Sequence, residues 1–270
     1  MASPPALEIL PTQDDQDSGK MSFFEHLAEL RKRLIYAVGA VLIGTIVGLA
    51  VSKSAFGVIA KPMLDALRDT NLDQQLIYTN PAGAIGLIIK LGVYIGIVLA
   101  SPAVLYQVWL FIAPGLYRHE RKAAILFIVS AVSLFLTGIA FAYFILLPYT
   151  LRFLIGFDTP YFTPMISINE YWDLVLMIML GLGLVFQTPV VIFFLSLFGM
   201  VTPRFLWKNF RYAVLIIAII AAILTPTPDA MTMFIFMMPM IILYLVSIGV
   251  SALVVRRKQR AEALARQGAD

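Results

Sequence analysis

The chain alternates long apolar runs with short clusters of charge, and most of the runs have the length a membrane span requires. Crossing a hydrocarbon core of about 30 Å takes about 20 helical residues. Runs over 34–52, 83–111, 123–147, 171–198, 213–224 and 230–255 predict six helices. The fifth is short, since about a dozen residues at about 1.5 Å each reach only about 18 Å. Pro226 and Pro228 then force a tight turn into the sixth, so this pair is expected to dip into the bilayer without comfortably crossing it.

Ahead of the first span, Ser22 and Glu25 have the spacing of a capping box. Phe23, Phe24, Leu27, Leu30 and Leu34 then repeat at helical spacing, with Glu25, Glu29, Lys32 and Arg33 on the other side. The pattern predicts an interfacial amphipathic helix running directly into the membrane. Residues 1–20 are Pro-rich, acidic and non-periodic, and read as a disordered lead, not a signal peptide. The loop over 53–82 carries a helix predicted from Pro62, with that proline at its first position. The loop over 148–170 brings Tyr149, Phe157, Tyr161 and Phe162 to interfacial depth.

Composition fixes the class. Apolar residues make up 60% of the chain and charged ones 13%, with mean hydropathy +0.89; soluble domains run nearer half and a quarter. This is an all-α polytopic membrane protein, read as one six-helix transmembrane domain over 21–255 with a basic tail over 256–270. With no cysteine and only His26 and His119, a disulfide framework, a thiolate nucleophile and a histidine metal site are all disfavoured. The sequence calls for no cofactor and no nucleic-acid ligand.

The placement of Lys and Arg orients the chain. One side receives 15 of the 20 basic residues, clustered around Arg31–Arg33, Arg118–Lys122, Arg204–Arg211 and Arg256–Arg266. Both termini are therefore expected in the cytoplasm. Lys90 falls inside the second span and is expected to snorkel toward the outer headgroups. A secondary transporter, the alternative class, would call for internal repeats, and none is found. A membrane enzyme lacks clustered His, Cys or paired intramembrane carboxylates.

Four stretches carry a family resemblance: HLAELRKRL at 26–34, SPAVLYQVWLFIAPGLYRHERK at 101–122, FAYF at 141–144, and LTPTPD at 224–229 with Pro239-Met240. Together they resemble TatC, the polytopic component of the twin-arginine protein translocase, over residues 22–255. The resemblance implies six helices with short fifth and sixth members and cytoplasmic termini. It also implies a receptor, without covalent chemistry, for folded precursor proteins bearing Arg-Arg signal peptides. TatA- and TatB-type single-span proteins would be partners, self-association is expected, and the proton-motive force would drive transport across the inner membrane.

Each candidate residue has an ordinary reading and a functional one. Glu120, among Arg118, Arg121 and Lys122, is either a solvated loop carboxylate or an acceptor for a guanidinium fork that lysine cannot copy. Glu29 is either half of a surface pair with Arg33 or a second recognition carboxylate. The resemblance implies the functional reading for both, places Phe111 and His119 near the recognition loop, and gives His26 and Arg31 shaping roles. Gln187, near the middle of the fourth span, stands where the family commonly has glutamate. A proton-carrying role is thereby in doubt, while a polar contact with a partner helix, shared with Thr188, survives. Asp229 caps the sixth helix or plays a mechanistic part. Met231 opens a methionine-rich run that suits lipid packing or a partner-helix groove. Pro62 reads as geometric.

Overall fold

The computed structural model describes residues 23–69, 77, 83–112, 121–156, 166–225 and 229–267, and among these the chain is helical apart from short turns and one isolated bridge. The helices are α1 Phe23–Asp69, α2 Gly83–Ile112, α3 Arg121–Phe141, α4 Leu147–Gly156, α5 Ile168–Val185, α6 Thr188–Leu197, α7 Pro203–Lys208, α8 Phe210–Leu224 and α9 Ala230–Gln267. A π-helical turn, Ala142–Leu146, joins α3 to α4. Five stretches are long and apolar enough to cross a membrane: Phe24–Asp69, Gly83–Ile112, Phe127–Gly156, Ile168–Leu197 and Ala230–Arg260. The shorter apolar helix Phe210–Leu224 stands as the sixth. The chain is a multi-pass membrane protein.

Three expectations change. No separate helix begins at Pro62; α1 runs unbroken for 47 residues with Pro62 buried inside it. The sixth helix is not short, because α9 continues for 38 residues, carrying the basic tail past Arg256 on the same axis. The fourth span is broken, α5 ending at Val185 and α6 beginning at Thr188. The capping residue Ser22, the lead over 1–20 and the Pro226–Pro228 turn lie outside the described residues.

Proline inside a helix leaves the carbonyl four residues earlier without its amide partner, and in lipid no water replaces it. At Pro62, Pro102 and Pro189 that carbonyl receives a hydroxyl. Pro62 frees Val58 O, and the Tyr143 hydroxyl donates to it at 2.6 Å; the Tyr171 hydroxyl donates to the next carbonyl, Ile59, also at 2.6 Å. Pro102 frees Val98 O, which Ser101 serves at 2.8 Å. Pro189 frees Val185 O, which Thr188 serves at 2.6 Å. Two of the three donors are the residue before the proline, and the third reaches in from the π-helical turn.

The core is built around α5. Trp172, Val175, Ile178 and Leu182 are fully enclosed, with Leu147 and Leu151 of α4 and Phe236 of α9 among the residues that complete the same cluster. α1 and α2 pair along most of their length because glycines meet across the seam. A methyl group added to Gly48 would collide with the Gly92 carbonyl oxygen, and one on Gly96 would collide with the backbone of Thr45. Such close backbone contact is a way membrane helices associate without a hydrophobic driving force. At the end away from the basic clusters, Ile77 bridges to Ser167, its amide donating to Ile166 O at 3.2 Å. Arg152 pairs with Asp69 at 2.8 Å, fastening α4 to the end of α1.

Candidate functional site

At the basic end, the start of α1 packs beside the end of α2. Glu29 and Arg33 occupy successive turns of one helix face, and their side chains meet at 3.1 Å. This geometry was readable from i,i+4 spacing. Its burial was not: only 18% of the Glu29 side chain and 24% of the Arg33 side chain is exposed. The second terminal nitrogen of Arg33 donates to Gln107 Oε1 of α2 at 3.4 Å, while its Nε is buried with no partner. Gln107 carries no local signature in the sequence, since its contact spans 74 positions.

One turn earlier, the His26 ring stacks on Phe111 with centroids 4.5 Å apart and planes at 22°. Phe111, partly buried, ties the last turn of α2 to the first turn of α1. Arg31 is exposed on the same helix. Arg118, His119 and Glu120 lie outside the described residues. The chain leaves α2 at Ile112, one residue after the Phe111 stack.

The arrangement suits recognition of a cation. Glu29 presents a half-enclosed carboxylate contacted by one guanidinium nitrogen, in a setting less solvated than a surface loop. Partial burial strengthens a charge-assisted contact relative to an exposed one. Arg33 occupies part of this carboxylate, so an arriving guanidinium must share it or displace Arg33.

The polar residues of the fourth span separate into two directions. Gln187 sits at the α5–α6 break, its amide nitrogen donating to Ala131 O of α3 at 3.0 Å and its Oε1 buried without a partner. Thr188 instead lines an open apolar groove of about 400 Å³, with Leu184, Ile192, Ile216, Ile220 and Met240. Met231 is 60% exposed at the far end of α9 and is not among the groove residues. Asp229 caps α9, its carboxylate accepting from the Thr232 amide at 2.7 Å. Lys90 pairs with Asp173 of α5 at 2.5 Å, both side chains half-exposed; no motif had marked Asp173. Among the described residues no cluster of His, Cys, Asp and Glu could hold a metal ion.

Comparison with known proteins agrees along nearly the whole chain. Residues 25–253 match the family described as Sec-independent protein translocase protein (TatC). The TatC protein of Koribacter versatilis is 47% identical over 251 residues, covering 92% of each chain. TatCy of Bacillus subtilis is 38% identical, covering 90% of this chain and 94% of its own. A crystal structure described as the twin-arginine translocase receptor TatC superposes with a TM-score of 0.75 at 36% identity. That alignment covers 86% of this chain and 100% of the other.

Proposed function

The chain belongs to the TatC family of Sec-independent protein translocase proteins, and from that membership we propose that it is the membrane receptor on which twin-arginine signal peptides of folded proteins dock. The observation that carries this reading is the half-buried Glu29 carboxylate beside Arg33, next to the His26–Phe111 stack. In this reading Glu29 and Glu120 each accept one signal-peptide guanidinium, with Phe111, Arg31 and His119 shaping the surface around them. A single partly exposed carboxylate–arginine contact contributes only about 1 kcal/mol, so the apolar segment of the signal peptide supplies further affinity against α1 and α2.

The orientation that fits is an inner-membrane protein with both termini in the cytoplasm, supported by the crowding of Lys and Arg at one end. Its work is transport, driven by the proton-motive force, with no covalent chemistry and no cofactor. The groove beside Thr188 suits a single-span helix of the TatA or TatB type. Its floor is apolar, and a partner helix that opened the adjacent α5–α6 break would find the buried, unpartnered Gln187 Oε1 as an acceptor. Self-association and nucleation of the translocation complex follow from the same family role.

Binding of an Arg-Arg signal peptide to the purified protein tests the receptor reading. Lys-Lys substitution in the peptide is expected to weaken binding to wild type, and Glu29→Gln and Glu120→Gln are each expected to do the same. Equal binding of Arg-Arg and Lys-Lys peptides to all three proteins would remove the carboxylate model.

A further inference from the structure

We propose that the helical face carrying Arg204, Lys208 and Arg211 is a seat for the phosphate headgroup of an anionic phospholipid, drawn inward from the leaflet at the basic end of the protein. The three cations fall at i, i+4 and i+7. α7 and α8 form a nearly continuous helix across Asn209, whose carbonyl still accepts from the Tyr212 and Ala213 amides. The spacing places the three side chains on one face, and all are exposed. On the opposite face Leu206 is buried, and Phe210 and Ala213 pack with it against Tyr244.

Charge complementarity is one-sided. No Asp or Glu occurs between Asp173 and Asp229, and α9 contributes none before Glu262. Among the described residues none of the three cations has a carboxylate within ion-pair distance; Arg211 lies over the Tyr212 ring at 5.0 Å. Phe205, Trp207 and Tyr212 are 55%, 66% and 52% exposed on the same corner. Aromatic and basic side chains in this mixture belong to the headgroup region.

Depth identifies the occupant as lipid. The Tyr244 hydroxyl donates to Leu206 O at 2.9 Å, fixing α7 against the middle of α9. Arg256, where the basic end of α9 begins, lies twelve residues further along, or about 18 Å. Ser196, near the end of α6, bonds Ser251 at 2.7 Å, so the chain climbs back from that level to reach α7. α8 then spans only 15 residues, about 22 Å against a core of about 30 Å. Cations this far inside are costly in hydrocarbon unless headgroups and water sink to meet them. An anionic headgroup supplies the missing counter-charge at that depth.

The test is native mass spectrometry of the purified full chain equilibrated with equal amounts of phosphatidylglycerol and phosphatidylcholine. Wild type is expected to retain phosphatidylglycerol preferentially, with the preference falling about fivefold for each cation removed in R204Q, K208Q and R211Q. R204K combined with R211K should keep it, as should the tail variant R256Q/R257Q/K258Q. In a second measurement, Trp207 fluorescence, taken as wild type minus Trp207→Phe, should be quenched more by brominated phosphatidylglycerol than by brominated phosphatidylcholine. That comparison decides the matter even if a multiple variant fails to fold. Equal retention of both lipids, a preference lost only in the tail variant, equal quenching, or displacement by inorganic phosphate at matched concentration would each overturn the proposal.

Discussion

The Tyr143 hydroxyl donates at 2.6 Å to the Val58 carbonyl, the acceptor that Pro62 leaves without a helical amide. The proline and the tyrosine are thus one device: Pro62 breaks the ladder of α1, and Tyr143 repairs it from another helix. Tyr143→Phe is expected to destabilise the protein by about 1 kcal/mol, the typical worth of such a bond. In a Pro62→Ala background the amide at position 62 returns, and the same change should become nearly neutral. Unfolding of the four proteins in detergent measures the coupling directly. Strict additivity would show that the hydroxyl serves something other than the proline gap.

The seam between α1 and α2 leads to a second prediction. Gly48→Leu places a side chain where the Gly92 carbonyl already sits, and the helices must separate. A loss of roughly 1–3 kcal/mol is expected for such overpacking. Gly57 belongs to the same helix but meets nothing within 4 Å of an added Cβ. Gly57→Ala should therefore be neutral or stabilising by up to about 1 kcal/mol through helix propensity. Thermal denaturation of the two variants separates crowding at the seam from a general intolerance of side chains on α1.

What the sequence revealed and what it hid divide along the line between local and non-local information. The spans were legible because bilayer thickness imposes a length, and the Glu29–Arg33 pair because four residues bring two side chains to one face. Pro62 signals a helix start in the sequence yet lies inside α1. A proline's local meaning is a break, and the two tyrosines that let α1 continue come from 85 and 112 positions away. Phe111 could not be placed from its own neighbours, since its partner His26 lies on another helix. The Lys90–Asp173 pair escaped for the same reason; snorkelling is a property of one side chain, whereas an ion pair needs the packing of α2 on α5. The length of α9 was hidden by composition, because a change from apolar to basic residues marks the membrane surface without ending the helix.

Arg33 and an incoming arginine compete for Glu29, and the competition has a sign. Arg33→Gln frees the carboxylate and should tighten binding of an Arg-Arg signal peptide, by up to about fivefold if the internal pair is worth its usual fraction of 1 kcal/mol. Glu29→Gln should weaken binding in both backgrounds. Raising salt from low to physiological strength should narrow the difference between Arg33→Gln and wild type, since partly exposed pairs are screened. Titration of labelled peptide into the purified variants reads all three effects. Weaker binding by Arg33→Gln would show that Arg33 supports the site and does not occupy it.

Gln187 separates folding from assembly. Its amide nitrogen donates to Ala131 O, a carbonyl inside α3 and within reach of that helix's own amides, while its Oε1 is buried without a partner. Gln187→Leu therefore removes one bond and one unsatisfied acceptor together. The two changes oppose each other, and the expected net change in stability is below about 1 kcal/mol. If Oε1 is the acceptor kept for a single-span partner helix, the same variant should remain folded yet retain less of a TatA- or TatB-type partner on co-purification. Thr188→Val should cost stability as well as partner, because its hydroxyl serves the carbonyl freed by Pro189. A Gln187→Leu protein that keeps its partner in full would assign the amide to the α3 contact alone.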